Sequence, residues 1–130
     1  MKKTLFEMAK DARKHAHSPY SQVQVGAAVV LENDKTYSGS NIENASFGAT
    51  VCAERVAIWK AMSENGAKKI RDIVVVTSDG WPPCGMCRQV IAEFGEPNTQ
   101  IHVADLFGIK RTWKLSELLP DSFTPEHLSK

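Results

Sequence analysis

The chain has 130 residues, of which 42% are hydrophobic and 24% charged, the usual composition of one globular domain with one core. Sixteen basic and fifteen acidic residues leave a net charge of +1, so the overall charge favours neither a polynucleotide nor an anionic membrane as partner. Charged residues between positions 7 and 14 interrupt any apolar run near the start, which argues against a secretory signal or a membrane helix. We therefore expect one cytoplasmic domain over residues 1–130 that acts on a small partner.

The first part of the chain predicts a helix followed by a hairpin. Apolar residues recur at helical spacing over 5–15, and Thr4 with Glu7 forms a capping box before them. Alternating apolar residues over 23–31 indicate a strand. Turn-forming residues follow this strand, so residues 36–40 are expected to pair back as a second strand.

The rest of the chain alternates helices and strands. The continuous apolar run within 70–77 is typical of a strand that is covered on both faces. The predicted elements are a helix over 51–64, a strand over 70–77, a helix over 84–94, strands over 101–104 and 109–113, and a helical turn over 115–119. This order predicts an α/β fold with a mixed sheet of about five strands flanked by helices.

All three cysteines lie in two short motifs, each at the start of a predicted helix. The motifs are Cys52-Ala53-Glu54 and Pro83-Cys84-Gly85-Met86-Cys87. An odd cysteine count argues against a disulfide framework. Cys84 and Cys87 share one helical turn and can bind one ion, with Cys52 supplied by the facing helix. Three thiolates leave the fourth position of a tetrahedral zinc site open, so we predict one catalytic Zn²⁺ per chain at Cys52, Cys84 and Cys87.

Glu54 is the candidate catalytic residue. It lies two residues from the predicted ligand Cys52, too close in a helix to bind the same zinc ion easily. Its carboxylate can instead serve as a general base for a zinc-bound water, whose pKa the metal lowers to ~7. A ligand-x-Glu motif followed by Pro-Cys-x-x-Cys is the general signature of zinc deaminases. Because three thiolates outweigh the charge of Zn²⁺, Arg55 and Gln89 are predicted to donate hydrogen bonds to thiolate sulfur.

Several segments of the sequence strongly resemble the small homotetrameric cytidine deaminases, and the resemblance covers nearly the whole chain. The matching segments are Pro19-Tyr20-Ser21, Val25-Gly26-Ala27-Ala28, Asn41-Ile42-Glu43-Asn44-Ala45, Cys52-Ala53-Glu54-Arg55, residues 83–90 and Glu117-Leu118-Leu119-Pro120. The resemblance implies a three-layer cytidine-deaminase-like fold. It also implies a zinc-dependent hydrolase that converts cytidine and 2'-deoxycytidine to uridine and 2'-deoxyuridine in pyrimidine salvage. The implied assembly is a homotetramer with shared active sites, without a nucleic-acid or membrane partner.

The resemblance also implies roles for individual residues around the nucleoside. Asn41 and Glu43 would hydrogen-bond the ribose hydroxyls. The backbone N–H of Ala53 would donate to the base carbonyl, and the carbonyl of Pro82 would accept from the exocyclic amine. Glu54 would move protons from water to the ring nitrogen and then to the leaving ammonia.

Three aromatic or apolar positions complete the implied pocket. Phe123 would reach the site of a neighbouring subunit and pack on the base. Val23 stands where the family usually has Phe, and Phe47 stands where Tyr is frequent. Both departures concern substrate preference and leave the metal chemistry untouched.

The sequence leaves other interpretations open. The cysteines could be buried core residues, or a fourth ligand from a histidine could close a purely structural, non-enzymatic zinc site used for assembly. The protein could instead deaminate a blasticidin-type cytosine nucleoside antibiotic. Val23 leaves room for this substrate, but the retained ribose-binding pair argues against it. Editing of a polynucleotide is disfavoured, because no basic segment interleaved with aromatic residues is present.

Overall fold

The computed structural model describes residues 3–128 as helices and strands in the predicted order. Its helices are α1 (Leu5–Arg13), α2 (Ala53–Asn65), α3 (Gly85–Phe94) and α4 (Leu115–Leu118), and its strands are β1 (Gly26–Leu31), β2 (Thr36–Ser40), β3 (Ile70–Val76), β4 (Gln100–Ala104) and β5 (Ile109–Lys114). Short 3-10 helices cover Phe47–Ala49 and Pro125–Leu128. No helix among the described residues is long and apolar enough to cross a membrane.

The five strands form one mixed sheet in the order β2-β1-β3-β4-β5. The central pair β3–β4 is parallel and the three other pairs are antiparallel. The predicted mixed sheet of about five strands is therefore confirmed. The parallel pair is connected through α3, so the loops leaving β3 and β4 lie at the same edge of the sheet.

The sheet is covered on both faces, which gives three layers. Successive residues of β1 enter different cores: Ala27 and Val29 pack in the cluster with α2 and α3, whereas Ala28 packs with Ala9 of α1. Since successive side chains of a strand point to opposite faces, α1 lies on one face of the sheet and α2 and α3 on the other. The three-layer α/β prediction is confirmed.

Helix α1 begins where its capping box predicts. The Thr4 hydroxyl oxygen accepts from the backbone N–H of Glu7 (3.1 Å), and the Glu7 carboxylate accepts from the backbone N–H of Thr4 (3.1 Å). Two otherwise unpaired donors of the first turn are thereby satisfied. The helix ends at Arg13, two residues before the predicted boundary.

The starts of α2, α3 and β1 differ slightly from the sequence prediction. Val51 exchanges backbone hydrogen bonds with Ile42 (3.0 Å each) instead of entering α2. Cys52 and Cys84 occupy the N-cap positions of α2 and α3, one residue outside each helix. Strand β1 begins at Gly26, later than the predicted 23–31, and the backbone N–H of Val25 just before it donates to the side chain of Asn41 (2.9 Å).

Candidate active site

The three cysteine sulfurs converge between the N-termini of α2 and α3. The Sγ of Cys84 lies 3.9 Å from that of Cys52 and 3.5 Å from that of Cys87, and all three lie within 4.8 Å of one another. Tetrahedral zinc with Zn–S distances of about 2.3 Å requires sulfur atoms about 3.8 Å apart. The observed spacings bracket that value, so the three thiols are positioned to bind a metal ion of the size and softness of zinc.

The surroundings of these sulfurs favour thiolate. Cys52 and Cys84 cap helix N-termini, where the free backbone N–H groups and the helix dipole stabilise negative charge. A hydrogen bond from Cys87 and a further one from Arg55 lower the pKa of Cys52 to about 5. The interaction with Cys52 and burial raise the pKa of Cys87. A divalent cation would replace the thiol protons.

Arg55 makes the predicted hydrogen bond to a cysteine sulfur. Its Nη2 donates to the Sγ of Cys52 at 3.5 Å, and its side chain is 9% exposed. The guanidinium carbon lies 5.7 Å from the ring centroid of Trp59 on the next turn of α2, a cation–π distance. Arg55 is thus held by the sulfur on one side and the indole on the other.

Gln89 does not make the predicted contact with sulfur in this structure. Its Nε2 donates instead to the backbone carbonyl of Phe123 at 2.8 Å. The ring of Phe123 stacks on His127 with centroids 5.5 Å apart and is 56% exposed. Gln89 therefore attaches the C-terminal segment to α3, and its donation to a thiolate stays a prediction.

Glu54 is the second residue of α2 and is 4% exposed. Among the described residues, its Oε1 is a buried oxygen without a hydrogen-bond partner. Burial raises the pKa of Glu54 to about 7. A buried carboxyl group that titrates near neutral pH can both accept and donate a proton in the same reaction.

A cavity of about 250 Å³ contains most of the predicted site residues. It is lined by Ser21, Val23, Val25, Asn41, Glu43, Thr50, Val51, Cys52, Glu54, Val75, Thr77, Trp81, Pro82 and Cys84. Four larger clefts, of about 290, 750, 600 and 270 Å³, contain none of the predicted site residues. The chemistry of its lining, rather than its volume, therefore identifies this cavity as the candidate active site.

Three predicted substrate-binding residues lie outside this lining. Ala53 is fully buried behind Cys52, at the first position of α2. Phe47 is 79% exposed on its short 3-10 helix and contacts Tyr20 edge-to-face, with centroids 6.3 Å apart. Phe123 lies on the C-terminal segment described above. The role of each as a substrate contact stays a prediction.

Asn41 bridges the end of β2 to the segment before β1. Its Oδ1 accepts from the backbone N–H of Val25 (2.9 Å), and its Nδ2 donates to the backbone carbonyl of Val23 (2.8 Å). An amide has a second proton on nitrogen and a second lone pair on oxygen. Asn41 can therefore hold this wall of the cavity and still bind a ligand.

Glu43 holds the neighbouring loop in a similar way. Its Oε1 accepts from the backbone N–H groups of Tyr20 (2.9 Å) and Ser21 (3.2 Å), and its Oε2 accepts from the hydroxyl of Ser21. The Ser21 hydroxyl makes the largest contribution to lowering the pKa of Glu43. Glu43 therefore carries a negative charge at neutral pH, and this charge lies at the wall of the cavity.

Seven lining residues were not predicted as site residues, and Thr77 and Trp81 are two of them. Thr77 follows β3 and is 3% exposed, and its Oγ1 accepts from two backbone N–H groups of the loop that leads to Trp81. A signal was available, because Thr-Ser-Asp-Gly directly after a buried strand is turn chemistry at the edge of a parallel sheet. Nothing in the local sequence marked Trp81 as a cavity residue.

Comparison with known proteins agrees with this geometry. The family model described as "Cytidine and deoxycytidylate deaminase zinc-binding region" matches residues 1–103. A cytidine deaminase of Halalkalibacterium halodurans is 45% identical over 127 residues, covering 96% of both chains. A cytidine deaminase of Sporosarcina psychrophila is 41% identical, covering 96% of this chain and 93% of the relative.

Solved structures give the same result. The crystal structure of cytidine deaminase from Burkholderia pseudomallei superposes with a TM-score of 0.86 at 41% identity, covering 92% of this chain and 96% of that chain. The enzyme from Mycobacterium tuberculosis superposes with a TM-score of 0.79 at 33% identity, covering 92% and 94%. Since sequence, fold and cysteine cluster all agree, the chain belongs to the cytidine deaminase family.

Proposed function

We propose that this protein hydrolyses cytidine and 2'-deoxycytidine to the uridine nucleosides and ammonia. The observation that carries the proposal is one cavity lined by a metal-binding thiol cluster, the buried carboxyl group of Glu54 and the polar side chains of Asn41 and Glu43. The relatives named cytidine deaminase, which align over almost the whole chain, support the same reaction.

Cys52, Cys84 and Cys87 would hold the zinc ion, since their sulfur spacings fit its tetrahedral geometry. Zinc bound there would polarise the attacking water and lower its pKa. Arg55 would moderate the negative charge of the three thiolates through its hydrogen bond to Cys52.

Glu54 would carry the protons of the reaction. Its carboxylate takes a proton from water as the water oxygen adds to the amine-bearing carbon, and the same carboxyl group protonates the adjacent ring nitrogen. It next takes the remaining proton of the added hydroxyl group and delivers it to the exocyclic nitrogen, which leaves as ammonia while the carbon–oxygen double bond forms. A pKa of about 7, raised by burial, suits a group that must alternate between acid and base.

The remaining contacts would orient the nucleoside. The N–H of Ala53 is at the first helical position and is not used within α2, so it is available to the base carbonyl. The carbonyl of Pro82 would accept from the exocyclic amine. Asn41 and Glu43 would bind the ribose hydroxyls with the hydrogen-bonding capacity that their contacts to the protein leave free.

We further propose a homotetramer in the cytoplasm, serving pyrimidine salvage, in which Phe123 packs in a neighbouring site. The 56% exposure of Phe123 in the single chain supports this arrangement. Light scattering coupled to gel filtration tests it directly: a mass of four chains is expected, and a monomer that is fully active would refute the shared site.

The deciding experiment measures ammonia release from cytidine and from 2'-deoxycytidine by zinc-loaded protein, by protein stripped of zinc, and after zinc is restored. Turnover should follow the metal. Glu54→Gln should keep its zinc and lose turnover by about 10²–10⁴-fold, the usual contribution of a general acid–base group. Glu64→Gln, an exposed position on the same helix, is the matched control.

Each outcome of this experiment is informative. A folded, zinc-loaded wild type that releases ammonia from neither nucleoside would refute the proposed reaction. A zinc-loaded Glu54→Gln variant with wild-type turnover would refute only the role of Glu54.

A further inference from the structure

Trp81 combines two properties that the proposed mechanism does not use. It lines the cavity beside Pro82 and Cys84, and it is the one aromatic side chain among the described residues of that lining. Its side chain is 47% exposed, so a large part of the indole is free to meet a ligand. Every other wall of the cavity is aliphatic, polar or sulfur-containing.

The backbone that carries Trp81 is anchored to the end of β3. The hydroxyl oxygen of Thr77 accepts from the backbone N–H groups of Gly80 and Trp81, each at 2.8 Å. Thr77 is 3% exposed, so these hydrogen bonds are protected from competing water. The loop is therefore fixed at the point where the indole enters the cavity.

The residues on either side restrict this loop further. Gly80 has a φ of +76° and a Cβ there would lie 3.2 Å from the side chain of Lys110, so the tight turn depends on glycine. Pro82 follows directly and restricts Trp81 to extended backbone conformations. Pro83 fixes one more φ angle before Cys84. An aromatic group held in this way loses little conformational freedom when a ligand binds.

We propose that Trp81 is a substrate-binding residue whose indole packs against the planar ring of the pyrimidine base, so that the site selects a flat heterocycle. This inference rests on the proposed function and specifies how the same cavity recognises the base. An aromatic face gains most from a second planar π-system at van der Waals distance and less from a puckered, saturated ring. The residue acts in binding and takes no part in proton transfer.

The test compares two ligands that differ in planarity. Uridine has a planar ring, whereas 5,6-dihydrouridine keeps the sugar and both carbonyl groups but has a puckered ring. Calorimetry on zinc-loaded protein would give the dissociation constant of each ligand for the wild type, Trp81→Leu and Trp81→Phe. Phe107→Leu, which removes a 95% exposed aromatic outside the cavity, is the control.

We expect Trp81→Leu to weaken uridine binding about tenfold, in the range found for base–aromatic stacking and equal to about 1.4 kcal/mol. Binding of 5,6-dihydrouridine should change about twofold or less, so the preference for the planar ligand falls. Trp81→Phe should restore much of that preference. With cytidine as substrate, KM should rise and kcat should not fall, because the contact is strongest with the planar base of the bound substrate and weakens as the attacked carbon becomes tetrahedral.

An unchanged ratio of the two dissociation constants in folded Trp81→Leu would overturn the inference while leaving the deamination intact. Should the leucine variant fail to fold, Trp81→Met keeps much of the side-chain volume without a planar ring and gives the same comparison. A wild type that binds uridine through Trp81 yet releases no ammonia from cytidine would refute the proposed reaction and retain the inference about the base.

Discussion

Gly39 allows β2 and α2 to approach closely. The substitution Gly39→Ala tests whether this close packing positions the predicted metal ligands. A Cβ at this position would lie 2.7 Å from the backbone nitrogen of Ala57 and 2.9 Å from two side-chain carbons of Val56. The backbone nitrogen belongs to the helix itself and cannot rotate away. The substitution therefore has to displace α2 or distort β2.

The required displacement follows from these distances. Ordinary contact begins at 3.4 Å, so α2 must move by about 0.7 Å (3.4 − 2.7). Cys52 and Glu54 move with α2, whereas Cys84 and Cys87 belong to α3. Zinc–ligand distances tolerate about 0.2 Å. We expect zinc affinity to fall at least about tenfold and the free energy of unfolding to fall by about 1–3 kcal/mol from overpacking.

The assay combines a zinc competition titration against a chelator, denaturant unfolding at fixed zinc and protein concentrations, and ammonia release. Gly48→Ala is the control, because a Cβ there meets no atom within 4 Å. It should match the wild type in all three measurements. If Gly39→Ala binds zinc and turns over cytidine as the wild type does, then the close packing of α2 on β2 does not position the ligands.

Two further predictions concern the first helix and the loop at the cavity. Thr4→Ala removes the capping box and should lower the free energy of unfolding by about 1 kcal/mol, whereas Thr4→Ser should keep the wild-type value. Calorimetric melting measures both variants. Turnover at 25 °C should stay unchanged, because α1 lies on the face of the sheet opposite the site. The Ser21 hydroxyl lowers the pKa of Glu43 from its usual 4.5, so its carboxylate stabilises the folded state above pH 4.5, and this contribution is lost as pH falls through the lowered pKa. The stability advantage of wild type over Glu43→Gln should therefore be constant from pH 7 to 5 and shrink below, and an advantage that grows on acidification would contradict the assignment.

The local features of the fold could be predicted because their causes are local. Thr4 and Glu7 lie three residues apart, and the hairpin of β1 and β2 follows from a turn between two short strands. The boundary of α2 could not be placed as well, since Val51 is drawn out of the helix by Ile42, nine residues away. The early start expected for the first strand was wrong as well, because the backbone N–H of Val25 donates to the side chain of Asn41, 16 residues away, instead of to a strand.

The cysteine cluster could also be predicted from the sequence. Cys84 and Cys87 are three residues apart, a spacing that helical geometry places on one face, and Cys52 lies at the start of a second helix. What the spacing did not predict was the competition for Gln89, whose amide binds the backbone of Phe123, 34 residues away. A polar side chain near a metal has many possible partners, and tertiary packing selects among them.

The substrate side of the cavity depends on hydrogen bonds between distant parts of the chain. Asn41 and Glu43 contact backbone groups 16 to 23 residues before them. Thr77 binds backbone groups only three and four residues ahead, and it fixes the loop that carries Trp81 beside a cavity whose other walls come largely from the segments before β1, after β2 and before α2. Periodicity detects none of these pairs, because each joins a side chain to the main chain of a loop. The thiol cluster and Glu54 thus come from short motifs at two helix N-termini, while the other walls of the cavity are fixed by side chains that bind loop backbones.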